Sequence, residues 1–400
     1  MTNHTADDEA LFRAGIKRFQ ARHPGIRVEL LNIANGTEYY TKLRTMSVAN
    51  DLPDVWYVRT ADIAFNVANK WQYPLDDYVR KHSAEVDKAD FWPAEVTQMT
   101  YQGKLYTLPY DFSNYGIYYN KTMFEKEGIP APTGDWTWKE FFELAGHFVQ
   151  HKNGKATRWG VSVILSDWFH LGLVQAFGGR LLSEDLRTCT ASLPENAEAL
   201  GLFAEQFANG VAPAAGATPA GVDPFAAGLI AMDINGSWAT QIRRLGIGDH
   251  FDWDVVELPK GPTGKRAVST QGGAWGISND AADKDEAWAF LEFLASEEQD
   301  NAFIAKPMRG IPGRQSSAKV FQQTVAASKQ PPRNVDAFNR QMQHDTVDIV
   351  YPPYWAEFET IWNNRVQALT TGAKPKDVLR QLEDDVNAAA ARYFQGGNGR

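Results

Sequence analysis

The sequence contains very little cysteine, with Cys189 as the single example among 400 residues. One cysteine cannot form a disulfide within the chain, and it cannot build a zinc site from several thiolates. Long apolar runs are also missing, because the best of them, VSVIL at residues 161–165, is far shorter than the roughly 20 residues that span a bilayer. The sequence therefore predicts a soluble chain.

Acidic residues outnumber basic residues, and the formal net charge is -9 with a pI near 5.5. No lysine or arginine run is present that would neutralise a phosphate backbone, so nucleic acid is excluded as an expected partner. The length of 400 residues suits two lobes, each large enough to bury its own core. Two lobes make a ligand cleft possible.

Hydrophobic periodicity changes along the first sixty residues. Phe12, Ile16 and Phe19 have helical spacing, whereas IRVELLNI at residues 26–33 alternates like a strand. LPDVWYV at residues 52–58 predicts the next buried strand. Helices that alternate with strands indicate an α/β fold with a largely parallel sheet.

Two local motifs predict specific backbone features. Gln102 and Gly103 lie between two short β-forming segments, which is typical of a two-residue hairpin turn. Thr137 is followed three residues later by Glu140, the arrangement of a capping box at the start of a helix.

The sequence contains partial matches to catalytic and cofactor motifs, but each of them lacks a required residue. His147 and His151 are four residues apart, but Phe148 stands where the zinc-protease pattern requires glutamate. Gly264 and Lys265 are followed by Arg266 instead of the serine or threonine of a phosphate loop. We therefore expect no catalytic residue, no metal and no cofactor.

Four motifs in sensible order span most of the chain: LPYDFSNYGIYYNK at 108–121, AMDINGSW at 231–238, GGAWGIS at 272–278 and GIPGR at 310–314. Together they resemble those of the bacterial extracellular solute-binding proteins, family 1, of ABC transporters. The resemblance is to the sugar-binding, maltose-binding-protein-like branch.

The resemblance implies the type II periplasmic-binding-protein fold, an α/β Venus-flytrap. Each lobe would be a mainly parallel sheet flanked by helices, with ligand held in the cleft between lobes that close around a hinge. The predicted N-terminal lobe comprises residues 1–118 and 265–312. The predicted C-terminal lobe comprises residues 119–264 and 313–400.

The resemblance further implies the substrate-binding component of an ABC importer, a monomer that binds a mono- or oligosaccharide and delivers it to the membrane permease. A polyol or a glycerol phosphate diester is the alternative solute, and the available basic residues for it are Arg243, Arg244 and Arg309. A carbohydrate-active hydrolase is the alternative of another class. No paired acids and no Gly-x-Ser-x-Gly motif support a hydrolase.

Sugar chemistry indicates which side chains such a site needs. A pyranose has apolar C–H faces and a rim of hydroxyls, so aromatic rings and carboxylates satisfy both. Trp168, Trp238 and Trp275 are the expected stacking rings, and Asp111 is the expected hydroxyl acceptor. The other expected ligand contacts are Asp62, Asp167, His170, Gly273, Arg309 and Tyr354.

The start of the chain departs from the resembled family, in which a strand precedes the first helix. MTNHTADDE is polar, and it lacks the basic region and apolar core of a signal peptide. We therefore expect a removed leader, an artificial or reassigned Met1, and a first strand that is missing or shortened. The expected location is the periplasm or the extracellular face of the membrane, with or without a lipid anchor.

Overall fold

A computed structural model describes residues 1–3, 6–34 and 36–396, and its internal contacts divide them into two compact units. Unit 1 comprises Met1–Phe112, Gln271–Thr324 and Val350–Pro353. Unit 2 comprises Ser113–Thr270, Val325–Ile349 and the described chain from Tyr354 onward. The lobe boundaries given above stay predictions, and each unit is described below by itself.

Helices account for much of both units, and none of those in the described chain has the length and apolar composition that crossing a membrane requires. The helices are α1 (Ala6–Arg22), α2 (Gly36–Val48), α3 (Ile63–Ala68), α4 (Asp76–Lys81), α5 (Pro93–Met99), α6 (Lys121–Glu127), α7 (Trp138–Gly146), α8 (Asp167–Ala176), α9 (Pro194–Ala208), α10 (Ala239–Ile247), α11 (Lys284–Leu294), α12 (Glu297–Asp300), α13 (Gln315–Ser328), α14 (Asp336–His344), α15 (Trp355–Val366) and α16 (Pro375–Gln395).

The strands are β1 (Val55–Arg59), β2 (Thr100–Tyr101), β3 (Lys104–Leu105), β4 (Thr107–Asn120), β5 (Gln150–Lys152), β6 (Lys155–Ser162), β7 (Ile230–Gly236), β8 (Trp253–Val256) and β9 (Thr270–Ile277). β4 is the longest of them, and it belongs to unit 1 up to Phe112 and to unit 2 from Ser113.

The core of unit 1 forms where α1 and α11 cover the sheet of β1 and β9. These two strands pair antiparallel, from Val55 opposite Ile277 to Arg59 opposite Gly273. The helical spacing read in the first segment is confirmed, because its apolar residues are buried in one cluster with those of α11. The cluster includes Phe12, Ile16, Phe19, Leu75, Trp275, Ile277, Phe290, Leu291 and Leu294.

The strand predicted at residues 26–33 is wrong, because the structure assigns this segment no ladder. Among the described residues, its one bridge joins Asn32 to Thr2, in parallel direction. The alternation in the sequence still has a cause, since Val28 and Leu30 pack against the core of unit 1. A β-ladder needs a neighbouring strand along its length, and among the described residues Thr2 alone makes backbone hydrogen bonds to this segment from a distant part of the chain, with Leu31 and Ile33.

Unit 2 is built on the second half of β4. β7 pairs with it antiparallel, with Tyr115 opposite Gly236, and β8 pairs with it antiparallel, with Ile117 opposite Val256. β6 runs parallel to β7, with Val161 opposite Met232. Strand directions are therefore mixed rather than mainly parallel, because alternation of helices and strands along the chain does not determine how β4, β7 and β8 run relative to one another.

Both local motifs read from the sequence are confirmed. Gln102 and Gly103 have φ values of 48° and 76°, as a primed hairpin turn between β2 and β3 requires. Thr137 accepts the Glu140 amide at 3.3 Å while the Glu140 carboxylate accepts the Thr137 amide at 2.7 Å. This capping box provides hydrogen-bond partners for two otherwise unpaired backbone amides at the N-terminus of α7.

The two histidines of the predicted helix lie on different elements. α7 ends at Gly146, so His147 follows its last residue and His151 falls in β5. The spacing of four residues therefore does not bring them to one helical face.

Asp283 stabilises α11 because its Oδ1 accepts the amides of Asp285 and Glu286, each at 2.9 Å. We expect Asp283→Ala to lower the free energy of unfolding by about 1 kcal/mol, as removal of an N-cap usually does. Urea denaturation measures this. The control Asp280→Ala, at an exposed site before the helix, should change stability by less than about 0.5 kcal/mol. Equal losses in the two variants would contradict the capping role.

Candidate functional site

Three aromatic rings of unit 2 form a surface that we call the aromatic platform, made of Tyr115, Trp168 and Trp238. The ring of Tyr115 lies 4.3 Å from that of Trp168 and 5.3 Å from that of Trp238, measured between centroids. The two indoles lie 5.5 Å apart with 37° between their planes. Trp238 is 37% exposed, Trp168 is half-buried and Tyr115 is buried. The platform therefore offers apolar ring surface above a fixed base.

Gly236, at the end of β7, positions Trp238. A Cβ atom at Gly236 would lie 1.8 Å from Cζ3 of Trp238, so the indole occupies space that any other residue would fill. The Gly236 carbonyl accepts the Tyr118 hydroxyl at 2.9 Å, and the Ser237 amide donates to the Asn114 carbonyl at 3.0 Å. Both bonds connect the turn to β4. Trp238 is itself the N-cap of α10, and it makes no side-chain cap hydrogen bond.

Trp168 is held by the start of α8. Its amide donates to Oδ1 of Asp167 at 2.8 Å, and Asp167 is itself buried. The hydroxyl of Tyr115 lies 3.2 Å from the Ser166 hydroxyl, which connects the base of the platform to the residue before the helix. The contacts of Asp167 and Ser166 thus determine where the indole of Trp168 lies.

His170, on the same helix as Trp168, is fully buried. Its Nδ1 is 2.8 Å from the Ser166 carbonyl, and its ring centroid is 5.3 Å from that of Trp362. Burial disfavours the charged imidazolium and lowers the pKa of His170 to about 4. His170 is therefore neutral at pH 7, and its contact with the Ser166 carbonyl connects it to the residue that precedes α8.

Asp111 is a half-buried carboxylate on β4, one residue before Phe112, where the part of β4 that belongs to unit 1 ends. Its Oδ1 accepts the Gly273 amide at 2.9 Å, so two predicted site residues are in direct contact. Burial raises the pKa of Asp111 to about 6. Burial likewise raises the pKa of Glu95, which repels the charge of Asp111, and raises that of Asp300 to about 8.

Asp62 lies just after β1 and is engaged by Arg59. The guanidinium donates from Nε to Oδ2 at 2.8 Å and from Nη2 to Oδ1 at 3.0 Å, which makes the pair bidentate. The same guanidinium lies 4.5 Å from the ring centroid of Tyr40. Asp62 is thus part of an ordered polar group of unit 1.

Three of the predicted ligand-contact residues are engaged by other side chains or backbone groups of the protein. Trp275 is 1% exposed, with Phe12 and Tyr110 rings each 5.3 Å from its own. Arg309 forms an ion pair of 2.6 Å with Asp8. The Tyr354 hydroxyl donates to the Leu186 carbonyl at 2.6 Å.

Sequence reasoning missed Tyr115 and Arg59 as members of these groups. Tyr115 lies within the motif at residues 108–121, yet its side chain faces Trp168 and Trp238 only because β4 and β7 pair in the observed register. Arg59 directly follows a predicted strand, and a charged residue in that position is the signal that could have identified it.

A group of possible metal ligands lies elsewhere in unit 1. His82, Glu85 and Glu292 bring one ligand atom each to within 4.8 Å of the others, and His82 Nδ1 lies 3.4 Å from the Glu292 carboxylate. Glu85 is exposed. This geometry is already explained by the histidine–carboxylate pair.

Similarity to known proteins extends over nearly the whole chain. A lactose-binding protein of Rhizobium radiobacter is 24% identical over 393 residues, covering 94% of this chain and 88% of the relative. An ABC substrate-binding protein of Listeria monocytogenes, solved in complex with cycloalternan, is 25% identical with a TM-score of 0.86, covering 97% of this chain and 96% of the other. UgpB of Mycobacterium tuberculosis, solved in complex with glycerophosphocholine, is 22% identical with a TM-score of 0.80, covering 96% of each chain.

The fold is accordingly that of the type II periplasmic binding proteins, as the sequence predicted. The model of the family described as bacterial extracellular solute-binding protein matches residues 3–301. The chain belongs to this family, whose members and structural neighbours bind solutes.

The buried His170 predicts a pH dependence of stability. Its pKa in the folded state is below its ordinary value of 6.5, so the unfolded chain takes up the proton first as the pH falls. Its contribution is fully present above pH 6.5 and decreases by about 3 kcal/mol towards pH 4. We expect His170→Asn, which keeps a donor for the Ser166 carbonyl, to lose about 2 kcal/mol less than the parent between pH 7 and pH 4.5.

Urea denaturation at both pH values measures this difference. The control is His147→Asn, since His147 is exposed. An acid loss that is unchanged in His170→Asn would contradict the assigned role.

Proposed function

We propose that this chain is the substrate-binding component of an ABC importer and that its solute is a mono- or oligosaccharide. The observation that carries the proposal is the aromatic platform, where Trp168 and Trp238 offer ring faces close together. The apolar C–H face of a pyranose stacks on such rings, and burial of that face is favourable while the hydroxyl rim stays free for polar partners. The sugars named for the relatives from Rhizobium radiobacter and Listeria monocytogenes support the same solute class.

Asp111 is the polar contact that we propose in unit 1. The Gly273 amide holds Oδ1 in a fixed rotamer, and Oδ2 is the atom that we propose accepts a sugar hydroxyl. An acceptor that the bound sugar covers discriminates between epimers, because a wrong epimer leaves it unpaired at a cost of about 1 to 3 kcal/mol. Asp62 and Asp167 are further proposed contacts, whereas Trp275, His170, Arg309 and Tyr354 are assigned supporting roles.

Binding without chemistry is part of the proposal. The solute would be released unchanged to the permease subunits in the membrane, by a monomer at the periplasmic or extracellular face. Differential affinity of ligand for one conformation shifts the population of that conformation, which is the signal that a permease can recognise.

A glycerol phosphate diester is the second candidate, and the complex of UgpB with glycerophosphocholine is the observation that favours it. Such a ligand requires cationic partners for the phosphate. Arg309 is paired with Asp8, and the buried Arg243 is paired with Asp233. Arg244 donates from Nε to the Pro331 carbonyl at 2.6 Å. Two of the three arginines are thus already paired with carboxylates, which makes a carbohydrate the better-supported solute.

We expect a thermal-shift panel of sugars, polyols and glycerol phosphodiesters to give a sugar hit. A ligand at about 100 times its dissociation constant stabilises the folded state by roughly 2.7 kcal/mol. For that sugar, Trp168→Ala and Trp238→Ala should each weaken binding about tenfold, since each removes one stacking face worth about 1.4 kcal/mol. Titration calorimetry measures the affinities.

Ile242→Ala is the matched control, because Ile242 is 62% exposed on α10, one turn beyond Trp238. It should bind as the parent does. A phosphodiester as the best ligand would establish the second candidate, and a sugar whose affinity is insensitive to both tryptophans would refute the proposed site.

Asp111 predicts how sugar binding depends on pH. Its raised pKa of about 6 means that the carboxylate is ionised above this pH and protonated below it. An ionised acceptor makes the stronger hydrogen bond, so affinity should fall as the pH drops from 7 to 5. Asp111→Asn should weaken binding at pH 7 by about tenfold and remove the pH dependence. Calorimetry at both pH values tests this, with Asp280→Asn as the exposed control, and a variant that retains the dependence would eliminate Asp111 as its source.

A further inference from the structure

The turn that follows α4 in unit 1 carries two side chains with metal-ligating atoms, His82 and Glu85. Its backbone is closed by hydrogen bonds, since the amides of Glu85 and Val86 donate to the His82 carbonyl at 3.1 Å and 2.9 Å. Val86 is buried in the core of the unit, and the Glu85 carbonyl accepts Nη2 of the buried Arg314 at 3.4 Å. These contacts fix the turn without using the side chains of His82 and Glu85.

Glu292 on α11 brings a third ligand to the same place. Its Oε2 lies 3.4 Å from Nδ1 of His82, and one ligand atom from each of the three residues lies within 4.8 Å of the others. Donor atoms bound to Zn²⁺ at about 2.1 Å in tetrahedral geometry are about 3.4 Å apart. The distance between His82 and Glu292 has this value. Glu85 is exposed, so rotation of its side chain can bring its carboxylate to the same spacing.

The charges of the group favour a cation. His82 and Glu292 attract each other only while the imidazole carries a proton. With a neutral imidazole, the group consists of one nitrogen lone pair and two carboxylates that repel each other. Burial raises the pKa of the Glu292 carboxyl, and the charge of Glu85 adds to this rise. A cation bound between the three side chains would compensate both carboxylates.

Trp288 supports the group from the core side. It lies one turn before Glu292 on α11, is 2% exposed, and has its ring centroid 5.5 Å from that of His82. Its Nε1 and the Oε1 of Glu292 are buried, and neither makes a hydrogen bond of normal geometry with a described residue. The indole N–H is nevertheless near enough to lower the pKa of Glu292. A carboxylate that turns to bind a metal through one oxygen can accept this N–H with the other, which would hold it in place.

The approach to the group is acidic. Glu85 also lines a surface depression together with Asp87, Asp90 and Glu297. Asp90 is paired with Arg314 at 3.1 Å, whereas Asp87 and Glu297 are exposed. An excess of negative charge around a depression raises the local concentration of cations.

We propose that His82, Glu85 and Glu292 bind one divalent transition-metal ion of the Zn²⁺ type. An imidazole nitrogen combined with carboxylate oxygens suits Zn²⁺, whereas Mg²⁺ and Ca²⁺ prefer oxygen ligands alone. Three protein ligands leave one tetrahedral position for water. The ion would connect the turn after α4 to α11 and so stabilise unit 1, whatever solute the protein binds. Sequence motifs do not show this site, because Glu292 is far from the other two ligands in the chain.

Titration calorimetry of the metal-free 400-residue chain with Zn²⁺, at about pH 7.5 where a free imidazole is mostly neutral, tests the proposal. We expect one tightly bound ion per chain. Glu85→Gln and His82→Gln should each weaken its binding about tenfold or more, because each removes one of three ligands. Glu85 is exposed, so its variant should unfold at the same Tm as the parent when no metal is present.

Two matched controls separate coordination from general attraction. Glu297→Gln removes a charge from the same depression, and His147→Gln removes an exposed imidazole of unit 2. Both should bind Zn²⁺ as the parent does. Zn²⁺ at about 100 times its dissociation constant for the parent should raise the Tm of the parent and of both controls by about 2 °C or more, and should raise it less in Glu85→Gln and His82→Gln.

Three results would overturn the proposal. The first is the absence of Zn²⁺ binding. The second is an affinity that Glu85→Gln and His82→Gln leave unchanged, which would indicate an adventitious ion elsewhere on the chain. The third is an equal loss of affinity in Glu297→Gln, which would indicate attraction to the acidic depression without coordination.

Discussion

The backbone of β4 is the constraint on which the rest of the structure depends. Nearly all of its residues from Thr107 to Asn120 are buried, so its N–H and C=O groups need partners inside the protein. In unit 1 the Phe112 amide donates to the Ile311 carbonyl at 3.1 Å. In unit 2 the Tyr115 carbonyl accepts the Gln341 side chain at 3.0 Å, and β7 and β8 take the following residues.

The chemistry of the proposed site follows from those pairings. The register of β4 and β7 sets Tyr115 opposite Gly236, and the absence of a side chain at Gly236 gives Trp238 its place against Tyr115. The indole of Trp238 is thereby held partly in solvent, where we propose that an amphipathic ligand stacks on it. In unit 1 the position of Asp111 depends in the same way on the Gly273 amide of β9.

Features determined by residues near one another in sequence were predictable. The capping box at Thr137, the turn at Gln102 and the amphipathic α1 each depend on interactions within a few residues. The strand expected at residues 26–33 did not form, because a strand requires a partner strand from a distant part of the chain. Among the described residues, this segment has only the bridge from Thr2 to Asn32. The same limit applies to Trp275 and Trp238, since one indole is enclosed by other rings and the other is 37% exposed, although both looked suitable for stacking.

The sequence by itself determined the family, the fold class, the first helix and the residue types from which a sugar site is made. Helices and motifs can be read from the sequence because the spacing of their residues is a property of short segments. Only the tertiary structure decided that Trp168 and Trp238 share one surface with Tyr115 and that His170 is neutral in the core. Strand register, burial and close packing are set by residues far apart in the chain, so no local pattern encodes them.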